Sequence, residues 1–178
     1  MLTTDQKGVI AELEIARQAA ELGIGVWTPH TIERCDLIFD LRPELVRVQC
    51  KWSPQNGDVI VVRCCSNRRN RDGLVRRSYS VAEIDAFAAY CPDTDRCYLL
   101  PIVGFGHRSA IQLRIGPTRN NQAAGINWAG DFEFAATLRR LGAIAQLGER
   151  LLGMQKVAGS SPAGSINRSR SGLLCRPW

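Results

Sequence analysis

Cys35-Asp36-Leu37-Ile38-Phe39-Asp40 and, beyond a turn at Pro43, Val46-Arg47-Val48-Gln49-Cys50-Lys51 hold two strands, the first read at Asp36–Phe39, and whether the two pair decides the fold. Side chains two apart on a strand share a face. Gln49 and Lys51 therefore point together, while Val48 and Cys50 point into the opposite layer. If the Asp36 strand pairs with the Gln49 strand, one carboxylate can approach both the amide and the ammonium. A helix packed alongside from the N-terminal side can add Glu12.

Working outward, Val9, Ile10, Leu13, Ala16 and Ala20 recur at helical spacing between Thr4 and Leu22. Thr3 or Thr4 can cap this helix, and Gly23 and Gly25 end it. Ile24–Trp27 reads as a short strand, Leu45–Trp52 as the strand carrying Gln49, and Val59–Val62 as a strand after the Asn56-Gly57 turn. Ser66–Ser80 is polar and arginine-rich, and reads as a long loop or a mobile hairpin. Val81–Tyr90 reads as a helix capped by Ser80, with Ile84 and Phe87 on one face. Arg96–Val103 and Ile111–Ile115 read as strands. This order gives an α/β fold with a mixed β-sheet flanked by helices.

The chain of 178 residues carries a formal charge of +6, with a pI near 9.2, which favours a polyanionic partner. Distribution matters more than the total. Arg63, Arg68, Arg69, Arg71, Arg76 and Arg77 crowd one stretch, interleaved with Ser66, Asn67, Asn70 and Ser78. Such a stretch can contact phosphates and base edges. The chain has no apolar run approaching the roughly 20 residues that cross a bilayer, and no signal-peptide start, so a cytoplasmic protein is expected. The seven cysteines never form a Cys-x-x-Cys knuckle, which argues against zinc. Cys35 and Cys50, inside apolar runs, read as small core hydrophobes.

Asp36, Glu12, Gln49 and Lys51 together supply what phosphodiester hydrolysis requires. These needs are hard oxygen ligands for a divalent cation, a means of activating water, and positive charge where the leaving oxygen develops its own. Each residue also has a plainer reading. A single glutamate on an amphipathic helix is usually solvated, and a strand lysine often guards an edge. Asp40, beside a turn, reads as a turn residue. His30 and His107 lack catalytic partners, and Trp128 and Phe132 read as packing groups.

The sequence resembles the PD-(D/E)xK nuclease superfamily, and within it the group I intron-associated homing endonucleases. The stretches that carry the likeness are Lys7–Glu12, Cys35–Asp40, Val46–Lys51, Val62–Cys64, Asp95–Pro101 and Gly125–Ala129, in that order. The resemblance implies a restriction-endonuclease-like core and cleavage of double-stranded DNA by a homo-oligomer, dimer or tetramer. It implies Glu12, Asp36, Gln49 and Lys51 as catalytic residues, and Mg²⁺, with Mn²⁺ able to substitute, on Glu12, Asp36 and Gln49. Glutamine at position 49 departs from the superfamily's second acidic residue. Junction-resolving or restriction-type nucleases share this chemistry, and a DNA-binding protein with a dead site is the rival outside enzymes.

Past Leu141 the pattern changes: glycines recur at short intervals, followed by Ser160-Ser161-Pro162 and Ser169-Arg170-Ser171-Gly172. The expected division is an endonuclease domain at 1–141 and a weakly structured tail at 142–178. The tail resembles the translation of an alanine transfer RNA gene, as if the frame had run through its neighbour.

Overall fold

The computed structural model describes residues 1–71, 73–105, 108–118 and 124–143, with the backbone alone at 68–70 and 74. Its centre is a five-stranded mixed sheet in the order β1 (Gly25–Trp27), β2 (Leu37–Asp40), β3 (Leu45–Trp52), β8 (Ala86–Cys91), β9 (Arg96–Pro101). Neighbours are antiparallel except β3 and β8, which run parallel. A second sheet, in the order β11 (Asn127–Trp128), β10 (Ala110–Arg114), β5 (Val59–Arg63), β4 (Gln55–Asn56), lies over one face of the first. Cys65–Asn70 (β6) and Gly73–Ser78 (β7) pair as a separate two-stranded hairpin.

Alternation along the central strands divides the core in two. Leu37, Phe39, Val46, Val48, Cys50, Ala86, Ala88 and Leu99 face α1 (Thr4–Glu21) and a second helix over 134–143. Ile38, Phe87, Ala89, Cys91 and Leu100 face the second sheet, where Ile60, Val62, Ile111 and Leu113 close the layer. The helices thus cover one face of the central sheet and the second sheet covers the other.

Thr3 caps α1 through a capping box with Gln6, and Gly23 leaves the helix at φ +76°. The buried stripe differs from the expected one. Ala11, Ile15 and Ala19 are fully buried, Ile10 and Ala16 pack at its edge, and Val9 and Leu13 are exposed. The alanines at either end of this stripe let the helix backbone approach the sheet closely, with Ile15 filling the middle of the interface.

The helix expected at Val81–Tyr90 is a correction. Ser80 does start a turn: its carbonyl accepts from both Glu83 and Ile84, and its own N–H and hydroxyl bind the Glu83 carboxylate. The turn ends at Asp85, whose N–H donates to the Arg47 carbonyl on β3 instead of continuing the helix. Ala86–Cys91 then runs as a central strand buried at every position. An apolar run covered on both faces carries no alternation, so its sequence does not separate buried strand from helix.

Arg47 fixes this join. Its backbone N–H and Nε both donate to Asp85 Oδ2, at 2.8 and 3.0 Å, and its second terminal nitrogen reaches Asp85 Oδ1 at 2.8 Å. The guanidinium also donates to the carbonyls of Ala82 and Val81. Burial pushes the Asp85 carboxyl up, but the hydrogen bonds from Arg47 outweigh it and hold the group below its ordinary 3.8. With a depressed folded pKa, the contribution to stability is present above the ordinary carboxylate range and is lost as pH falls through the folded value. Asp85→Asn should lower stability by about 1–2 kcal/mol near pH 7, the scale of charge-assisted hydrogen bonds at a half-exposed pair. Denaturant titrations at pH 7 and pH 3 test this, since the gap between wild type and variant should close in acid.

Candidate active site

Asp36 stands one step beyond the Leu37–Val48 pair, opposite Gln49, and its N–H donates to the Val48 carbonyl at 2.9 Å. The register of β2 on β3 thereby places its carboxylate against the end of β3. Asp36 Oδ2 accepts from the Cys50 N–H at 2.8 Å and from the Gln49 side-chain amide. Gln49 is 8% exposed, a buried polar group whose donor is satisfied by this carboxylate. Lys51, two residues on, shares its face and donates from Nζ to the Tyr79 hydroxyl at 3.4 Å.

Glu12 lies on α1 beside the buried stripe, half-buried, and its carboxylate makes no hydrogen bond to another described residue. Burial and the nearby Asp36 charge raise its carboxyl above the ordinary value. Burial likewise raises Asp36, against the opposing pull of the Cys50 N–H, Lys51 and Gln49. It lowers Lys51, which Asp36 partly restores. The four residues expected from sequence therefore meet at one place and interact. Two desolvated carboxylates, one of them raised further by the other's charge, with an amide beside them, form a donor set that suits a hard divalent cation. Among the described residues no group of three His, Cys, Asp or Glu is arranged to hold a metal, so any such site would use the Gln49 amide oxygen as well.

A carboxylate opposite Gln-x-Lys on a mixed sheet, with a helix glutamate beside it, is the arrangement expected from the sequence. A family model for the PD-(D/E)XK endonucleases matches residues 2–135. The chain belongs to the PD-(D/E)XK endonuclease family. Among solved structures, this endonuclease is similar to the bacterial homing endonuclease I-Ssp6803I, with TM-score 0.65 and 27% identity, over 82% of this chain and 98% of that one. No curated protein matches it.

The arginines expected to bind DNA lie on and beside the β6–β7 hairpin. Arg63 is exposed at the end of β5, Arg71 at the hairpin turn, and Arg76 and Arg77 on β7, while Arg68 and Arg69 belong to the β6 backbone ladder. The stretch Ser66–Ser80, read as loop or hairpin, is a hairpin through Ser78. His107 and the tail beyond 143 lie outside the described residues. Leu141 packs against the core in the helix over 134–143, so the expected boundary falls in that helix. Asp40 accepts from the Arg42 N–H at 3.1 Å, as a turn residue does, and Phe132 packs on Phe105.

Two residues of the site escaped the sequence reading. Tyr79 is buried, with its ring 4.0 Å from the Arg34 guanidinium and 5.0 Å from Lys51 Nζ. The only signal in the sequence was their flanking positions, Arg34 two residues before Asp36 and Tyr79 at the foot of the arginine-rich stretch.

Gln49→Glu replaces a donor to Asp36 by a like charge. We expect the metal-free variant to lose about 1–3 kcal/mol near pH 7, the cost of an unsatisfied buried group. Carboxyls whose folded pKa values are raised gain stability as pH falls through those values. The deficit should therefore shrink between pH 7 and pH 5, as read by thermal melts in chelator. Glu12→Gln should leave the metal-free protein as stable or more so.

Proposed function

We propose that this nuclease is a metal-dependent, site-specific endonuclease of double-stranded DNA, of the homing type. The observation that carries the reading is the contact of Asp36 with Gln49 and Cys50 beside Lys51 and Glu12. The similarity to a bacterial homing endonuclease supports the finer assignment.

In this reading Glu12, Asp36 and the Gln49 amide oxygen would hold Mg²⁺, with Mn²⁺ able to substitute. Bound there, the cation supplies a polarised phosphoryl oxygen and a more acidic water. Asp36 is oriented by the Cys50 N–H, which donates to its Oδ2 at 2.8 Å. Gln49 stands at the usual place of a second carboxylate and contributes an oxygen without a second charge. Lys51, held in a pocket that lowers its affinity for a proton, presents its ammonium to the scissile phosphate, where it stabilises the charge that develops. The arginine-rich hairpin grips the DNA backbone, with Arg63, Arg68, Arg69, Arg71, Arg76 and Arg77 as contacts. Assembly as a homo-oligomer, dimer or tetramer, would let the protein read a long site, and residues 142–178 take no part in catalysis. No described helix is long and apolar enough to cross a membrane.

Asp36→Asn and Lys51→Met should each abolish cleavage while leaving binding in Ca²⁺ within a few-fold of wild type. High Mn²⁺ should restore a little activity to the first and none to the second. Gel assays on a library of candidate sites read this out. Full cleavage by Lys51→Met would remove that residue from the mechanism, and wild-type protein that binds without cutting in any metal would make the chain a DNA-binding protein with a dead site.

Replacing Arg68, Arg69 and Arg71 by alanine should weaken DNA binding and flatten its salt dependence by roughly one unit of slope for each lost phosphate contact. A salt titration of binding checks it, and an unchanged slope would assign these residues to a solvated face.

A further inference from the structure

Lys51 has one hydrogen-bond acceptor among the described residues, the hydroxyl of Tyr79. An ammonium on a four-carbon stem has several rotamers, so a half-buried lysine with a task at one atom needs something to hold it. Tyr79 is itself locked. It is 6% exposed, its ring packs edge-to-face on Phe87 at 5.5 Å, and Arg34 covers it at 4.0 Å.

Arg34 is in turn held from three directions. It donates to Glu83 at 3.2 Å in the turn before β8, to the Ser66 hydroxyl at 3.0 Å on β6, and to the Ser78 carbonyl at 3.1 Å on β7. Glu83 also takes Arg77, from the same strand of the hairpin. One guanidinium therefore joins both strands at the foot of the arginine-rich hairpin to the ring that meets Lys51, two residues before Asp36 in sequence.

We propose that Tyr79 is a positioning residue for Lys51, and that Arg34 makes that position depend on how the hairpin is seated. Tyr79 fixes the ammonium through its hydroxyl and ring, and Arg34 clamps the ring to the hairpin base. When the hairpin engages DNA, the arginines that hold the duplex and the lysine that acts on it move as one unit. The proposal rests on the reading of Lys51 as a residue of the nuclease site.

The test has a part that needs no activity. Lys7, Lys51 and Lys156 are the lysines of the chain, so selective ¹³C labelling of lysine gives few side-chain signals. In metal-free protein the Lys51 signal should be displaced by the aromatic ring, largely keep that displacement in Tyr79→Phe, and lose it in Tyr79→Leu. A Lys51 signal that does not respond to either change would overturn the contact. In single-turnover cleavage at saturating DNA, Tyr79→Phe should be slower by about 10-fold and Tyr79→Leu by about 100-fold, the scale of a misplaced catalytic group. DNA binding in Ca²⁺ should stay within about twofold for both, since binding and placement are separate demands.

Arg34→Ala should slow cleavage and weaken binding together, because it frees the hairpin as well as the ring. Equal losses of binding and rate in Tyr79→Phe would make Tyr79 a DNA contact and overturn the proposal, as would wild-type rates in both Tyr79 variants. Should Tyr79→Leu fail to fold, the Phe variant alone decides. Lys51→Met in the same assay keeps the two readings apart: if it cuts as well as wild type, the role given to Lys51 fails, whereas its loss of cutting beside fully active Tyr79 variants fails only the positioning.

Discussion

The antiparallel register of β2 on β3 is the constraint on which the rest of the molecule depends. Leu37 opposite Val48 and Phe39 opposite Val46 send four apolar side chains into the layer under α1. The same register brings Asp36 to Gln49 on the other face. Because strand side chains alternate, a slip of one residue would turn the apolar set away from α1 and put the polar one under the helix. Core burial thus enforces the geometry of the site, and no separate interaction is required to choose it.

That coupling has a cost at the site itself. Burial raises the carboxyls of Glu12 and Asp36 and lowers the ammonium of Lys51, so every ionised group there is held in surroundings that disfavour its charge. The Cys50 N–H and the Gln49 amide offset part of this for Asp36, while Glu12 has no comparable donor among the described residues. The glutamine at position 49 follows naturally: an amide can donate to Asp36 in the free protein, where a second carboxylate would repel it.

The hairpin is a different kind of element. It forms its own two-stranded sheet, and its ties to the body run through a few polar contacts at its base, chiefly Arg34 to Ser66 and Ser78 and Arg77 to Glu83. Arg47 and Asp85 do comparable work one turn later, stopping the Ser80 turn and starting β8 in parallel register beside β3. Three arginine–carboxylate contacts, Arg34 and Arg77 on Glu83 and Arg47 on Asp85, thus set how the segment between hairpin and central strand crosses the sheet.

The sequence by itself determined the strands that carry the site and the face shared by Gln49 and Lys51, because alternation and the spacing of polar residues are local properties that survive in a linear reading, and the family through the likeness of its ordered stretches to known nucleases. It likewise located α1, its cap and the arginine-rich stretch. Only the tertiary structure decided that Ala86–Cys91 is a strand, since an apolar run covered on both faces has no period of its own, and the stop at Asp85 comes from Arg47, far away in sequence. The choice of Ala11, Ile15 and Ala19 over Val9 and Leu13 was also tertiary, set by how closely the helix approaches the sheet. Tyr79 and Arg34 belong to the site through contacts between segments distant in the chain, and no local pattern marks a residue whose role is to hold another one in place.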